Sequence, residues 1–325
     1  MNLYKRILVS TVALTLATSL SVQANAENLK VVASFTIVAD FAKNVGGEKI
    51  DIITLVGPNG DAHVYNPKPS DAVALSKANV ILTNGLNFEG FLSKLVEASG
   101  TKAQIIKLTK GVEVLEAKEG HDQDHEENHS DVDQGDEHKD AEGHDHGEND
   151  PHAWQSVANA KMYVNNIAKA FCIADVSGCN VYEINASTYL KKLDKLEQFI
   201  KTSVSEIPQN KRTVITSHDA FGYFEHEYGI KFLAPEGIST ETEASAADIA
   251  ALIVQVKEDK ASAIFVENIS NARLIEQISK ETGIEIGGSL YSDSLSDKNG
   301  PASSYIQMMR HNINTIKGAI IATKK

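Results

Sequence analysis

The sequence predicts an α/β protein of two lobes, each with a mainly parallel sheet flanked by helices, joined by one long connecting helix. Three observations carry that prediction. β-branched runs alternate with helical stretches through the first third of the 325-residue chain, which is the pattern of βαβ units and parallel sheet. The same alternation resumes after Pro208. Between the two, Tyr182, Ala186, Tyr189, Leu193, Leu196 and Ile200 recur at four- and three-residue steps, one apolar face of a single long helix.

Residues 1–26 read as a cleaved secretory signal. Lys5 and Arg6 precede an apolar run over 7–20, and Ala24-Asn25-Ala26 supplies small residues for cleavage. The run falls short of the roughly 20 residues a membrane span needs, and no cysteine follows it to carry a lipid. The mature chain is therefore expected to be soluble and exported, to the periplasm.

The N-terminal lobe is expected over 27–178. Strands are predicted at 29–35, 50–56, 79–83 and 103–108. Helices are predicted at 37–45, stopped by Gly46-Gly47, at 69–78 with Ser70 as N-cap, and at 88–98. A long helical segment is expected after His152, to about Phe171, and the connecting helix over 179–207. The C-terminal lobe, 208–325, is predicted to have strands at 213–216, 231–234, 261–266 and, weakly, 284–286. Its helices are expected at 220–228, at 244–256 with Ser245 and Asp248 as a capping box, and at 271–281. Pro301 marks the start of a last helix, whose buried stripe is Ile306, Met309, Ile313, Ile316 and Ile320. Met309 reads there as core filler.

The net charge of −13 is local. Between Glu116 and Asp150 lie fifteen Asp or Glu and two Lys, and the rest of the chain is balanced. No basic face is concentrated enough to mark a nucleic-acid partner. The tract 116–150 interrupts the first lobe at its end. It also holds His121, His125, His129, His138, His144 and His146, six of the eleven histidines. It has no apolar period, so it reads as a loop, and imidazole mixed with carboxylate makes it a secondary metal-binding region rather than only a solvated linker. Cys172 and Cys179 are the only cysteines. They lack metal-site spacing and enclose a short turn with Gly178, so in an exported protein a disulfide is expected.

Three histidines remain outside that loop and off the helices: His63, His152 and His218, each beyond a strand or at a turn. In α/β sheets ligands gather beyond the carboxyl ends of the strands. One such histidine is commonly a hydrogen-bonded loop residue; three in equivalent places point to a metal. Zinc takes four ligands, and the fourth falls to Asp293, after the last strand, or to Glu267, its competitor.

With GPNGDAHVYNPKPSD, DPHAW, TSHDAFGYFEHEYG and LYSDSLSD in place, the sequence resembles the metal-binding solute-binding proteins of bacterial zinc and manganese ABC importers. It is most similar to the zinc-binding ZnuA-like group, which has a histidine-rich loop. The resemblance covers 29–322. It implies that His63, His152, His218 and Asp293 are the metal ligands, with the ion held between the lobes. It also implies Zn2+ as transported ligand, Mn2+ as the alternative, and a membrane permease with a separate ATPase subunit as partner. Manganese-selective relatives often have Glu where this chain has His218, and imidazole favours zinc. A monomer is expected. The sequence has no G-x-x-x-x-G-K-[ST], so ATP hydrolysis belongs elsewhere. A secreted zinc hydrolase is the rival from another class. It would need an open coordination position for water, and no H-E-x-x-H helix is present. A metal-buffering or adhesion protein, independent of transport, is the third reading.

Overall fold

The structure, a computed structural model, describes residues 27–117 and 149–322. The expected signal and the six histidines of the acidic tract lie outside the described residues. The first sheet is built from β1 (Leu29–Phe35), β2 (Ile50–Val56), β3 (Val80–Thr83) and β4 (Gln104–Lys107). Helices α1 (Thr36–Gly46), α2 (Pro69–Lys77) and α3 (Leu92–Ser99) form the crossovers. All pairings are parallel, in the order β2-β1-β3-β4. Two helices follow, α4 (Val157–Ala174) and α5 (Cys179–Ser205).

The second sheet repeats the plan. It comprises β5 (Thr213–Ile215), β6 (Lys231–Leu233), β7 (Ala263–Glu267) and β8 (Ile286–Leu290), parallel, in the order β6-β5-β7-β8. Its helices are α6 (Gly222–Tyr228), α7 (Ala246–Glu258), α8 (Ala272–Thr282) and α9 (Tyr305–Ala322). A βαβ crossover returns each strand parallel to the last, so every carboxyl end in a sheet points the same way.

Burial explains why these segments adopt these forms. β1 buries every residue but Lys30, as a strand covered on both faces requires. The face of α5 read from the sequence is the buried one: Tyr182, Ala186, Tyr189, Leu193, Leu196 and Ile200. Together with α1, α4 and α9 it forms one continuous core that reaches from Val31 to Phe265 and Leu290. Helix α5 is thus packed along its length against both lobes, and α9 joins it, packing on β8 and on α1. A helix seated in a close-packed core resists bending. Cys172 and Cys179 are bonded and tie the end of α4 to the start of α5. No helix among the described residues is long and apolar enough to cross a membrane.

Several boundaries differ from expectation. The sequence places Ser70 at an N-cap, but α2 starts at Pro69, and the Asp71 carboxylate accepts the Lys68 N–H at 2.7 Å. The helix expected from 88 starts at Leu92, because Gly85, Leu86 and Asn87 all take positive φ and turn the chain inward first. The last helix starts at Tyr305 rather than Pro301, and its buried stripe takes in Tyr305 and Met308, while Ile306, expected in it, is only partly buried. The strand read at 284–286 lies at Ile286–Leu290. Its glycines hide it, yet a Cβ at Gly287 would collide with Phe265 and Ala319, so the close sheet–helix contact demands glycine. The capping box at α7 forms, with Asp248 N–H to Ser245 Oγ at 3.2 Å and Ser245 N–H to Asp248 Oδ2 at 2.9 Å.

Candidate metal centre

Four segments, far apart in the chain, end in one buried cluster. His63 lies in the turn after β2, where Asp61 Oδ1 accepts its backbone N–H at 2.8 Å. His152 follows Asp150-Pro151, and Asp150 Oδ1 takes both its backbone N–H at 2.9 Å and its Nδ1 at 2.8 Å. His218 follows β5. Glu267, the last residue of β7, accepts the N–H groups of Ser217 and His218 on Oε1 at 2.7 and 2.9 Å. Its Oε2 lies 2.7 Å from His218 Nδ1, off the line of a straight hydrogen bond. Asp293 follows β8, and the carbonyl of its neighbour Ser292 accepts Trp154 Nε1 at 2.9 Å and Gln155 Nε2 at 2.8 Å.

The donor atoms of His63, His152, His218 and Asp293 all lie within 4.8 Å of one another. His63 Nε2 and His218 Nε2 stand 3.2 and 3.1 Å from Asp293 Oδ2, and His152 Nε2 stands 3.7 Å from Oδ1. A tetrahedron with arms of ~2.0–2.1 Å has edges of ~3.3 Å, so these separations bracket what one zinc ion requires. His63 is 8% exposed and the other three are fully buried. His152 Nε2 and Asp293 Oδ1 have no hydrogen-bond partner. Buried polar atoms left this way are costly, and a dication at the centre would satisfy both. Glu267, the competing fourth donor, stands against the outer nitrogen of His218 instead.

The electrostatics fit a site made for positive charge. Burial opposes protonation of His152, but Asp293 and Asp150 outweigh it and push its pKa up to about 9. Burial likewise opposes the charge on His218, and Glu267 and Asp293 overcome it, so its pKa is raised well above the usual histidine range. Burial favours protonated Asp293, yet His152 and His218 hold it well below the usual carboxylate range. At His152 the Asp150 carboxylate on Nδ1 fixes the tautomer that turns Nε2 inward, and Glu267 stands beside the same nitrogen of His218, the arrangement that orients imidazole ligands around metals.

Aromatic side chains close the surroundings. Phe88 packs edge-on against His63 at 4.8 Å between ring centroids and against Trp154 at 4.8 Å. Trp154 in turn lies 5.3 Å from His152. The inward turn at 85–87 delivers Phe88, and it is held by buried Glu89, which accepts Ser34 Oγ at 2.6 Å and the N–H groups of Asn84 and Gly85 at 2.6 and 3.2 Å. Leu86, with φ of 53°, is strained in that turn. Gly222 opens α6 where a Cβ would collide with the Asp150 carboxylate. The sequence reading missed Asp61, Glu89 and Asp150 as supports. For two of them a signal exists: the spacing Asp-x-His recurs at Asp61/His63 and Asp150/His152. His226 and His311 stand outside the cluster, and His311 Nε2 lies 2.9 Å from the Ser289 carbonyl.

Comparisons with known proteins agree in one direction. Residues 31–319 match the family described as ZnuA, zinc-uptake complex component A, periplasmic. The chain is 34% identical over 297 residues to the iron ABC transporter substrate-binding lipoprotein MtsA of Streptococcus pyogenes serotype M1, covering 90% of this chain and 89% of that one. It is 32% identical to the manganese ABC transporter substrate-binding lipoprotein PsaA of Streptococcus anginosus, covering 89% and 88%. Among solved structures, the periplasmic zinc-binding protein TroA of Treponema pallidum superposes with a TM-score of 0.78 at 26% identity, over 90% of this chain and 99% of that one. The manganese-bound periplasmic metal-binding protein of candidatus liberibacter asiaticus gives 0.74 at 28% identity, over 89% and 98%.

Proposed function

The chain belongs to the ZnuA family of metal-binding components of ABC importers, and from that premise we propose that it is a periplasmic zinc-capture protein. It takes Zn2+ between its lobes on His63, His152, His218 and Asp293 and hands it to a membrane permease whose ATPase is a separate subunit. The observation that carries this reading is the convergence of those four buried donors from four separate segments. Four protein ligands close the zinc sphere, which suits cargo that is held and released unchanged.

Three nitrogens and one carboxylate place zinc above manganese in the general affinity order. Competition titration against chelators of known affinity is expected to give tighter binding of Zn2+ than of Mn2+; the opposite order would reverse the assignment. Manganese is the second reading. It is supported by the metals for which the relatives are named, and by the approach of both Asp293 oxygens to the cluster, which would give Mn2+ a second oxygen donor.

The mature protein begins after residue 26 in this reading and acts as a monomer. The tract with His121, His125, His129, His138, His144 and His146 serves as a second, weaker store of metal, on imidazole and carboxylate donors. Deleting 120–147 is expected to leave one tight site and lower the total stoichiometry. Loss of the tight site would mean that the tract completes it.

A further inference from the structure

The segment that bears His63 has a second attachment, and it crosses to the other lobe. Asp61 uses both carboxylate oxygens: Oδ1 accepts the His63 N–H at 2.8 Å, and Oδ2 accepts the Thr240 hydroxyl at 2.6 Å. Thr240 lies in the loop between β6 and α7. That loop is joined to the His218 segment, because Glu236 N–H donates to the Ser217 carbonyl at 3.3 Å and Asp219 N–H to the Gly237 carbonyl at 3.1 Å. His63 and His218 are therefore linked inside through Asp293, which both face, and outside through Asp61 and Thr240.

We propose that the Asp61–Thr240 hydrogen bond is a clasp that keeps His63 closed over the bound metal, so that these two are positioning residues that set the rate of metal release. This rests on the reading of the four clustered side chains as the metal site.

The other two donors have different anchorage. The segment around Asp293 is tied to the first lobe's side: Ser292 O accepts from Trp154 and Gln155, Leu295 N–H donates to Thr36 Oγ1 at 2.8 Å, and Asn59 N–H donates to Leu295 O at 3.0 Å. His152 is held through Asp150, whose carbonyl accepts the Tyr223 hydroxyl at 3.1 Å. An opening that leaves those bonds intact separates His63 from His218, and it must break the clasp together with the bond from Asn268 Nδ2 to Asn59 Oδ1 at 3.1 Å. His63 is also the one donor with any exposure, so the ion leaves past it. A hydroxyl on a half-buried carboxylate makes a charge-assisted bond of the stronger kind.

The test measures Zn2+ dissociation from the full mature chain. Excess EDTA is mixed with the zinc-loaded protein in a stopped-flow instrument, and the fluorescence of Trp154, the sole tryptophan, follows the loss of metal. T240V removes the hydroxyl at nearly constant volume, and T240S keeps it. The expected result is release at least about tenfold faster in T240V, the range for a lost hydrogen bond to a charged group, with T240S within about twofold of the parent. The metal-free melting temperatures of both variants are expected to stay close to the parent. Equal rates in T240V and the parent would overturn the clasp while leaving the metal site standing. A T240S variant as fast as T240V would also overturn it, by making the effect one of packing. Absence of zinc binding in the parent protein would end the metal reading itself, and the clasp with it.

Discussion

β1 and β2 of the first sheet run seven residues each, whereas their counterparts β5 and β6 run three. Helix α1 buries Ile37, Val38, Phe41, Ala42 and Val45, while its counterpart α6 buries Tyr223, Phe224 and Tyr228. The pairing of β7 with β8 shifts register between Ile264 and Val266. The two lobes thus share a strand order and differ in how firmly it is held. Short strands open at lower free energy than long buried ones. The supports of the ligands follow the same difference. On the first side an Asp two residues upstream accepts the backbone N–H of His63 and of His152. His218 relies on Glu267, brought from a neighbouring strand, and the segment bearing Asp293 relies on groups of the opposite lobe. The second lobe is the adjustable one, and its ligands lack a carboxylate two residues upstream.

Replacing a ligand is the harshest way to break that comparison. H63A and H218A are each expected to weaken zinc binding at least a hundredfold, or about 3 kcal/mol, in chelator competition. Unchanged affinity in both would remove them from the site. A gentler change sharpens the contrast. D150N and E267Q keep the size of the orienting side chain and remove its charge, and each should cost about ten- to a hundredfold in affinity. E267Q is expected to cost more, because Glu267 also fixes the N–H groups of Ser217 and His218. A larger loss in D150N would invert the assignment of the two lobes.

Titration of the metal-free protein gives a third test. The His152 pKa is raised to about 9 by Asp293 and Asp150, against burial. The stability this contributes is fully present below the unfolded histidine value of roughly 6.5 and is lost as pH rises through about 9. At pH 7.5 metal must therefore displace a proton from His152. Calorimetry in buffers of different ionisation heat is expected to show proton release on zinc binding, and no dependence on buffer would refute it. The smallest effect is dynamic. Amide hydrogen exchange should be faster in β5 and β6 than in β1 and β2, by about tenfold or more. Equal protection would erase the distinction between the lobes.

Much of this molecule was legible in its sequence, for a local reason. The stripe from Tyr182 to Ile200 and the apolar run of β1 are periodic patterns, and periodicity is written in neighbouring residues. His63, His152 and His218 stood out because each follows a strand or turn, outside the histidine-rich tract and off the helices. The supports were harder to see. Glu89 is contacted from Ser34, and Glu267 from His218, across separations of 55 and 49 residues, and no local pattern records such meetings. Glycine concealed β8, since Gly287 and Gly288 lower strand propensity while Gly287 answers to Phe265 and Ala319 and Gly288 to Thr315. The start of α3 was hidden by a turn whose shape depends on the buried carboxylate of Glu89.

The central claim is that four side chains from distant segments enclose one metal ion. Anomalous scattering at the zinc absorption edge, from a crystal of the zinc-loaded protein, tests it most directly. A single strong interlobe peak within about 2.0–2.2 Å of His63 Nε2, His152 Nε2, His218 Nε2 and an Asp293 oxygen is the expected result. A peak elsewhere, with those four side chains turned away from one another, would contradict it.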